Sequence, residues 1–328
     1  MDAGPAPHVA LVTFARTPGA KPELGLVENG IWLWTLDGTA YPNGMLSLIE
    51  KWHAGSPEGG GRSTEDILDK ERKGDPVPVD SVALLTPVLD PPSIVCIGKN
   101  YLEHIGEVDA TLPGISLMGA AAPEYPIIFT KAPTSVIGHG QAIEIPPKHV
   151  TQSVDYEGEL GIVIGELVVP GTIVDAETAW NAVFGFTVVN DVTARDTQKQ
   201  HQQWYLGKSF DTFCPIGPWV VPKRGLLGLG AESSASDVQK LIGETGLGIG
   251  TNVNGEWRQS SKTNAMLFDV PAILAVVNKA MTLRPGDVIA TGTPAGVGAG
   301  MDPKRFLKKG DECAVTIEGI GTLRNPVR

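Results

Sequence analysis

The stretch Val154-Asp155-Tyr156-Glu157-Gly158-Glu159-Leu160-Gly161-Ile162-Val163-Ile164-Gly165 joins an acidic start to an apolar, β-branched run. Such a run reads as a strand, and residues two apart in a strand face the same side. Glu157 and Glu159 therefore present two carboxylates together at the strand's beginning. Like charges this close repel, and a bound cation is the simplest compensation. A second strand, Val183-Phe184-Gly185-Phe186-Thr187-Val188-Val189, ends abruptly on Asn190-Asp191. Asp191 offers a third oxygen ligand. Hard oxygen ligands without cysteine or a close histidine pair favour magnesium, manganese or calcium over zinc. The residues alone leave a second possibility open, in which the two glutamates face solvent on a half-exposed strand and Asp191 caps a helix.

Outward from this core, Ile127 to Thr130, Leu247 to Val253, Val288 to Thr291 and Glu312 to Ile317 are short, mostly β-branched or apolar, and close to Gly, Pro or Asn. They too read as strands. Helices are expected over Asp175 to Ala182 and after Asp269, where an N-cap aspartate precedes Pro271 in the first turn. Repeated strand-helix-strand units are missing and Gly246-Leu247-Gly248-Ile249-Gly250 only imitates a GxGxxG turn, so a dinucleotide-binding sheet is not expected. The fold class is mixed and predominantly β.

Nearer the N-terminus, His8 to Ala15, Leu24 to Val27 and Ile31 to Trp34 alternate with turns, and Asn29-Gly30 marks a hairpin because both residues tolerate positive φ. A helix is expected over Met45 to Trp52, and Gly55 to Asp75 reads as a surface segment containing another short helix. Pro87, Asp90, Pro91 and Pro92 place a domain border near residue 90, giving a small α+β domain over 1–90 and a main domain over 91–328. Past that border, Ile94 to Ile97 reads as a buried strand, Tyr101 to Glu107 as a short helix, and Val108 to Tyr125 as a long loop or lid.

With 26 Lys and Arg against 37 Asp and Glu, the 328-residue chain carries a formal charge of −11. That field repels phosphate, which argues against a nucleic-acid or anionic-membrane partner. Cys96, Cys214 and Cys313 are widely spaced among apolar residues and imply neither a disulfide framework nor a metal knuckle. No secretion signal or bilayer-long apolar run is visible, so a soluble cytoplasmic protein is expected.

Several ordered signatures then combine: Gly98-Lys99-Asn100-Tyr101 with His104 and Glu107, Tyr156-Glu157-Gly158-Glu159-Leu160, Asn190-Asp191-Val192-Thr193-Ala194-Arg195-Asp196, Gly207-Lys208-Ser209-Phe210-Asp211, Thr291-Gly292-Thr293-Pro294, and Glu318-Gly319-Ile320-Gly321-Thr322-Leu323. Together they resemble the fumarylacetoacetate hydrolase family over nearly all of residues 90–328. The resemblance implies a β-sandwich roll, a homodimer, and Mg2+ or Mn2+ held by the positions of Glu157, Glu159 and Asp191. It also implies that His104 and Glu107 form a water-activating pair on a lid that closes through movement of residues 100–125. Lys99 departs from the arginine of many relatives and lacks its fork geometry.

A 2-oxo carboxylate chelates a metal through its keto and carboxylate oxygens, and the ion stabilises the enolate that forms when a bond beyond the carbonyl breaks. His104 and Glu107, three residues apart, share one helix face, so the glutamate can orient the imidazole as a general base. By resemblance, Lys208 supports the metal or a developing oxyanion, and Lys131, Arg195, Gln198 and Thr293 contact substrate; on residues alone the lysines read first as solvated or core-edge side chains, Arg195 and Gln198 as a solvated face, and Thr293 as part of an ordinary turn. The Gly-rich loop after Thr291 lacks the Gly-Lys-Ser/Thr ending of a nucleotide-binding loop. The expected reaction is hydrolysis of a carbon–carbon bond in an acylpyruvate-like 2,4-dioxo acid. The alternative is an isomerase, tautomerase or decarboxylase of a small 2-oxo diacid such as oxaloacetate. A binding protein without turnover is disfavoured by the presence of His104.

Overall fold

The computed structural model describes residues 4–54, 71–111, 122–201, 203–227, 229–230 and 233–328. The expected helix within Gly55 to Asp75, through residue 70, and residues 112–121 of the expected lid lie outside the described residues. At the centre, strand Gly158–Ile164 pairs antiparallel with Val183–Asn190, and every residue of both is buried. Burial on both faces is what their near-continuous apolar runs require. The sheet extends through Val288–Ala290, Ile94–Gly98 and Ile127–Thr130 on one side. On the other it continues through Cys214–Pro222 into Val9–Ala15, Glu23–Glu28, Trp32–Leu36 and Arg72–Pro78. Leu11 opposite Val220 marks where the N-terminal strands join the rest.

A second sheet, ordered Glu256–Lys262, Gly248–Val253, Glu312–Ile317 and Gly321–Pro326, packs against the first. Leu160, Ile162, Phe186 and Val188 share one core with Ile249, Val315 and Ile317 of that sheet. Each such side chain contributes roughly 1.5–3 kcal/mol by leaving water. A side chain at Gly158 would collide with Thr251 and Val315, so glycine lets the sheets close where the acidic stretch begins. The result is the mostly β, sandwich-like architecture that the sequence predicts.

The helices follow their caps. Asp175 accepts the Thr178 amide at the start of Ala176–Ala182, and Asp269 accepts the Ala272 amide at 3.0 Å before Val270–Asn278. Asn29 and Gly30 both take positive φ, 51° and 69°, at the expected hairpin. Helix Leu102–Thr111 runs past the expected end at Glu107. Two strands are harder to foresee. Arg72–Pro78 lies at the sheet edge, where Pro76 and Pro78 are tolerated. Cys214–Pro222 is a central strand despite Pro215, Pro218 and Pro222, with irregular pairing to its neighbour between Phe186 and Val188. Among the described residues no helix is long and apolar enough to cross a membrane.

Candidate active site

Strand register assembles the acidic triad. Gly158 lies opposite Asn190, and the Asp191 amide donates to the Glu157 carbonyl at 2.9 Å, so Glu157 and Asp191 stand side by side on the next rung. Asn190 locks this end by accepting the Glu157 amide at 3.0 Å. Glu159 follows two residues along on the same face. One oxygen from each of Glu157, Glu159 and Asp191 lies within 4.8 Å of the others, and all three residues are buried. The solvent-facing alternative therefore does not hold.

Cations converge on two members of the triad. Lys208 donates to Glu157 at 2.7 Å and to Asp191 at 2.6 Å. Lys131, with a fully buried side chain, donates to Asp191 at 2.6 Å and to the Val192 carbonyl at 3.1 Å. Arg195 pairs with Glu157 at 2.6 Å and with Asp155 at 2.9 Å, and its other guanidinium nitrogen, Nη2, is buried without a hydrogen-bond partner among the described residues. Burial alone would raise the Glu157 carboxyl, but Lys208 and Arg195 overcome it and hold the group well below the ordinary range. Glu159 shifts the opposite way, driven up by burial and then by the charges of Asp191 and Glu157. Its Oε2 accepts the Gly292 amide at 2.8 Å, and it forms no ion pair among the described residues.

That asymmetry is the test of fit for a metal. Asp155, Glu157, Glu159 and Asp191 are opposed by Lys131, Arg195 and Lys208, leaving one negative charge in excess, on Glu159. A divalent cation on three hard oxygens removes both the excess and the repulsion. The donor set and its charge fit such an ion.

The opposite wall comes from helix Leu102–Thr111. His104 Nδ1 lies 3.4 Å from Glu107, a long contact, and both Glu107 oxygens accept the Gly296 amide at 3.0 Å. The Gly-rich loop thus uses its amides on the protein's own carboxylates: Gly292 on Glu159, Gly296 on Glu107, and Gly298 and Ala299 on Asp155. Thr293 lines the cavity, but its hydroxyl donates to the Gly158 carbonyl at 3.0 Å and accepts from Gln259 at 2.8 Å. This differs from the expectation of a hydroxyl directed at a ligand.

His104, Glu157, Glu159, Arg195, Gln198, Lys208 and Thr293 line one cavity, whereas Glu107, Asp191 and Lys131 stand behind that lining. Lys131, expected to contact substrate, instead braces Asp191. Asp155 went unnoticed as a functional residue although it sits inside the quoted stretch, because its tie to Arg195 spans 40 residues. Trp204 also escapes the sequence. It packs edge-on against Phe129, with centroids 5.3 Å apart, and a side chain at Gly98 would strike its ring.

Residues 93–328 match the family described as Fumarylacetoacetate (FAA) hydrolase C-terminal. The chain belongs to the fumarylacetoacetate hydrolase family. A relative from Bacillus subtilis (strain 168), "Oxaloacetate tautomerase YisK", is 44% identical over 250 residues, covering 76% of this chain and 74% of the relative. The human "Oxaloacetate tautomerase FAHD2B, mitochondrial" is 41% identical over 331 residues, covering 98% and 93%. Among solved structures, the fumarylacetoacetate hydrolase from psychrophilic Exiguobacterium antarcticum is similar over 98% of this chain and 99% of its own, with TM-score 0.72 and 38% identity. Membership of this family makes the chain similar to enzymes, and the buried acidic triad is where a divalent ion fits.

Proposed function

We propose that the protein catalyses metal-dependent tautomerisation of a small 2-oxo diacid of the oxaloacetate type. The observation that carries the proposal is the placement of His104, backed by Glu107, across one cavity from an acidic triad whose third carboxylate forms no ion pair among the described residues. A proton-handling group facing a chelating centre suits a proton shift beside a carbonyl. The names of the two relatives support tautomerisation over carbon–carbon hydrolysis, which the sequence places first.

Glu157, Glu159 and Asp191 would hold the ion, Mg2+ or Mn2+ by donor type. When bound, it supplies Lewis-acid polarisation of the 2-oxo group. Arg195 offers Nη2 to a substrate carboxylate, and its other nitrogens are fixed by Asp155 and Glu157. Lys208, fixed between Glu157 and Asp191, adds positive charge where the enol oxygen develops its own negative charge. His104 moves the proton at the carbon between the two carbonyl groups, and Glu107 sets the ring orientation. Atoms balance without water, since one proton leaves carbon and one reaches oxygen, or the reverse.

The test follows the decay of enol absorbance of oxaloacetate with Mg2+-loaded protein, alongside product masses. Accelerated decay at unchanged mass, lost in His104→Ala, supports the proposal. Pyruvate plus a matching acid from an acylpyruvate, without enol decay, would replace it with the hydrolytic reading. Carbon dioxide release would replace it with decarboxylation.

A further inference from the structure

We propose that Trp204 is a specificity-determining residue that restricts the cavity to compact 2-oxo acids by excluding a bulky group on the carbon beside the 2-oxo group, an inference resting on the 2-oxo-acid reading of the same cavity. Trp204, Gly98 and Phe129 line that cavity together with Glu157, Glu159 and Lys208. Its volume is small, about 30 Å³, room for about two water molecules. A ligand larger than that has to press on the lining, so the wall that cannot retreat decides what enters.

The indole of Trp204 is such a wall. A Cβ added to Gly98 would overlap Cζ3 and Cη2 of the ring, so the indole rests directly on the glycine backbone. Gly98 itself is held in strand Ile94–Gly98, opposite Ile127. Next in the wall, Phe129 meets the indole edge-on, with centroids 5.3 Å apart and planes at 73°. Behind it, the Trp204 carbonyl accepts the Lys208 amide at 3.1 Å across the one-turn helix Tyr205–Lys208. A side chain at Gly207 in that turn would strike the Gln198 backbone, so the turn is seated as closely as glycine permits. The ring is blocked on the sheet side and its backbone is blocked behind.

The wall also stands beside the chemistry. The Lys208 ammonium, bound to Glu157 and Asp191, lies 5.1 Å from the centroid of Phe129. Lys208 is the group placed at the enol oxygen, so the aromatic pair borders the two carbons that the enol double bond joins. An enol is planar at those carbons. A group carried by the second of them stays near that plane and cannot swing clear of the wall. A hydrogen or a flat carboxylate fits such a slot, whereas a phenyl ring collides with the indole.

The experiment is calorimetric titration of Mg2+-loaded protein with pyruvate and with phenylpyruvate, which differ by a phenyl group on the carbon beside the 2-oxo group. Wild type is expected to bind pyruvate more tightly. Trp204→Ala is expected to raise the affinity for phenylpyruvate relative to pyruvate by about tenfold or more, the least that a misfit of even one carbon is worth in a shaped apolar pocket. Trp204→Leu, which keeps an apolar contact on Gly98, moves the ratio in the same direction and serves if the alanine variant does not fold. Equal weakening of both ligands, or an unchanged ratio, would assign Trp204 to the fold alone. Phenylpyruvate bound by wild type as tightly as pyruvate would equally overturn the inference. Failure of the oxaloacetate enol-decay assay with a Trp204-dependent ratio intact would sink the tautomerase reading and leave this inference standing, and the reverse pair of results would do the opposite.

Discussion

The floor of the cavity and its facing wall are held by different means. On the floor, Glu157 and Asp191 are fixed by a strand register and by ion pairs of 2.6–2.7 Å with Lys208, Arg195 and Lys131. On the wall, His104 rides a helix, tied to Glu107 by a 3.4 Å contact, and Glu107 in turn hangs from the Gly296 amide. A sheet-borne cluster of buried ion pairs resists displacement. A helix-borne imidazole with a long contact can adjust to a substrate. The difference teaches that ion binding and proton transfer belong to separable structures, and substitutions ought to part them.

The largest effect is expected on the floor. Asp191→Ala leaves Lys131 buried without its carboxylate and Lys208 with only Glu157, and breaking buried pairs of this kind costs about 3–5 kcal/mol. Urea unfolding should show that loss, and calorimetry with Mn2+ should show no binding. Retained stability and metal affinity would mean that the floor is not the anchored unit described here. Glu159→Gln separates the two effects: among the described residues it has no ion pair to lose, so metal affinity falls while stability holds or rises.

On the wall, His104→Ala is expected to lower enol turnover by about 10²–10⁴-fold, the usual contribution of a general acid–base group. Metal affinity should stay within twofold or so of wild type, given that the ring is not part of the triad. A parallel loss of metal would merge floor and wall into one structure. Glu107→Gln should cost less, about 10–100-fold in the range of residues that act through an oriented partner, because the amide oxygen of glutamine still accepts from Gly296. The split between kcat and KM distinguishes orientation from mere packing, since a mis-set ring lowers kcat at unchanged KM and unchanged stability, whereas a packing defect lowers stability as well.

Much of the floor is legible in sequence because it depends on short-range rules. Residues two apart share a strand face, so Glu157 and Glu159 must point together, and Asp191 ends a strand whose apolar run requires burial. The Asp269 cap with Pro271 is equally local. What escapes depends on register between distant segments. Asp155 meets Arg195 across 40 residues and Lys131 meets Asp191 across 60, distances at which charge pattern carries no pairing information. Cys214–Pro222 hides because prolines count against a central strand, yet its position between Val183–Asn190 and Val9–Ala15 is what joins the N-terminal strands to the sheet.

The smallest expected effect sharpens the comparison from the far end of the floor strand. Asp287 is buried, its carbonyl receives the Ile164 amide, and one carboxylate oxygen has no partner among the described residues. Burial pushes its carboxyl from the ordinary 3.8 up to about 6. The folded state therefore holds its proton more tightly than the unfolded chain does. Below the unfolded value both states are protonated and nothing is lost; as pH rises through the window up to about 6, ionisation is easier in the unfolded chain and stability declines. Between pH 5 and pH 7 the decline amounts to about 1 kcal/mol, or about 2 °C in Tm. Asp287→Asn should abolish that slope while leaving enol turnover and metal affinity unchanged, because the residue lies at the opposite end of the strand from Glu159. Were the variant to alter the pH dependence of turnover as well, the floor strand would be transmitting charge along its length, and the separation of anchored floor from adjustable wall would have to extend to the whole sheet.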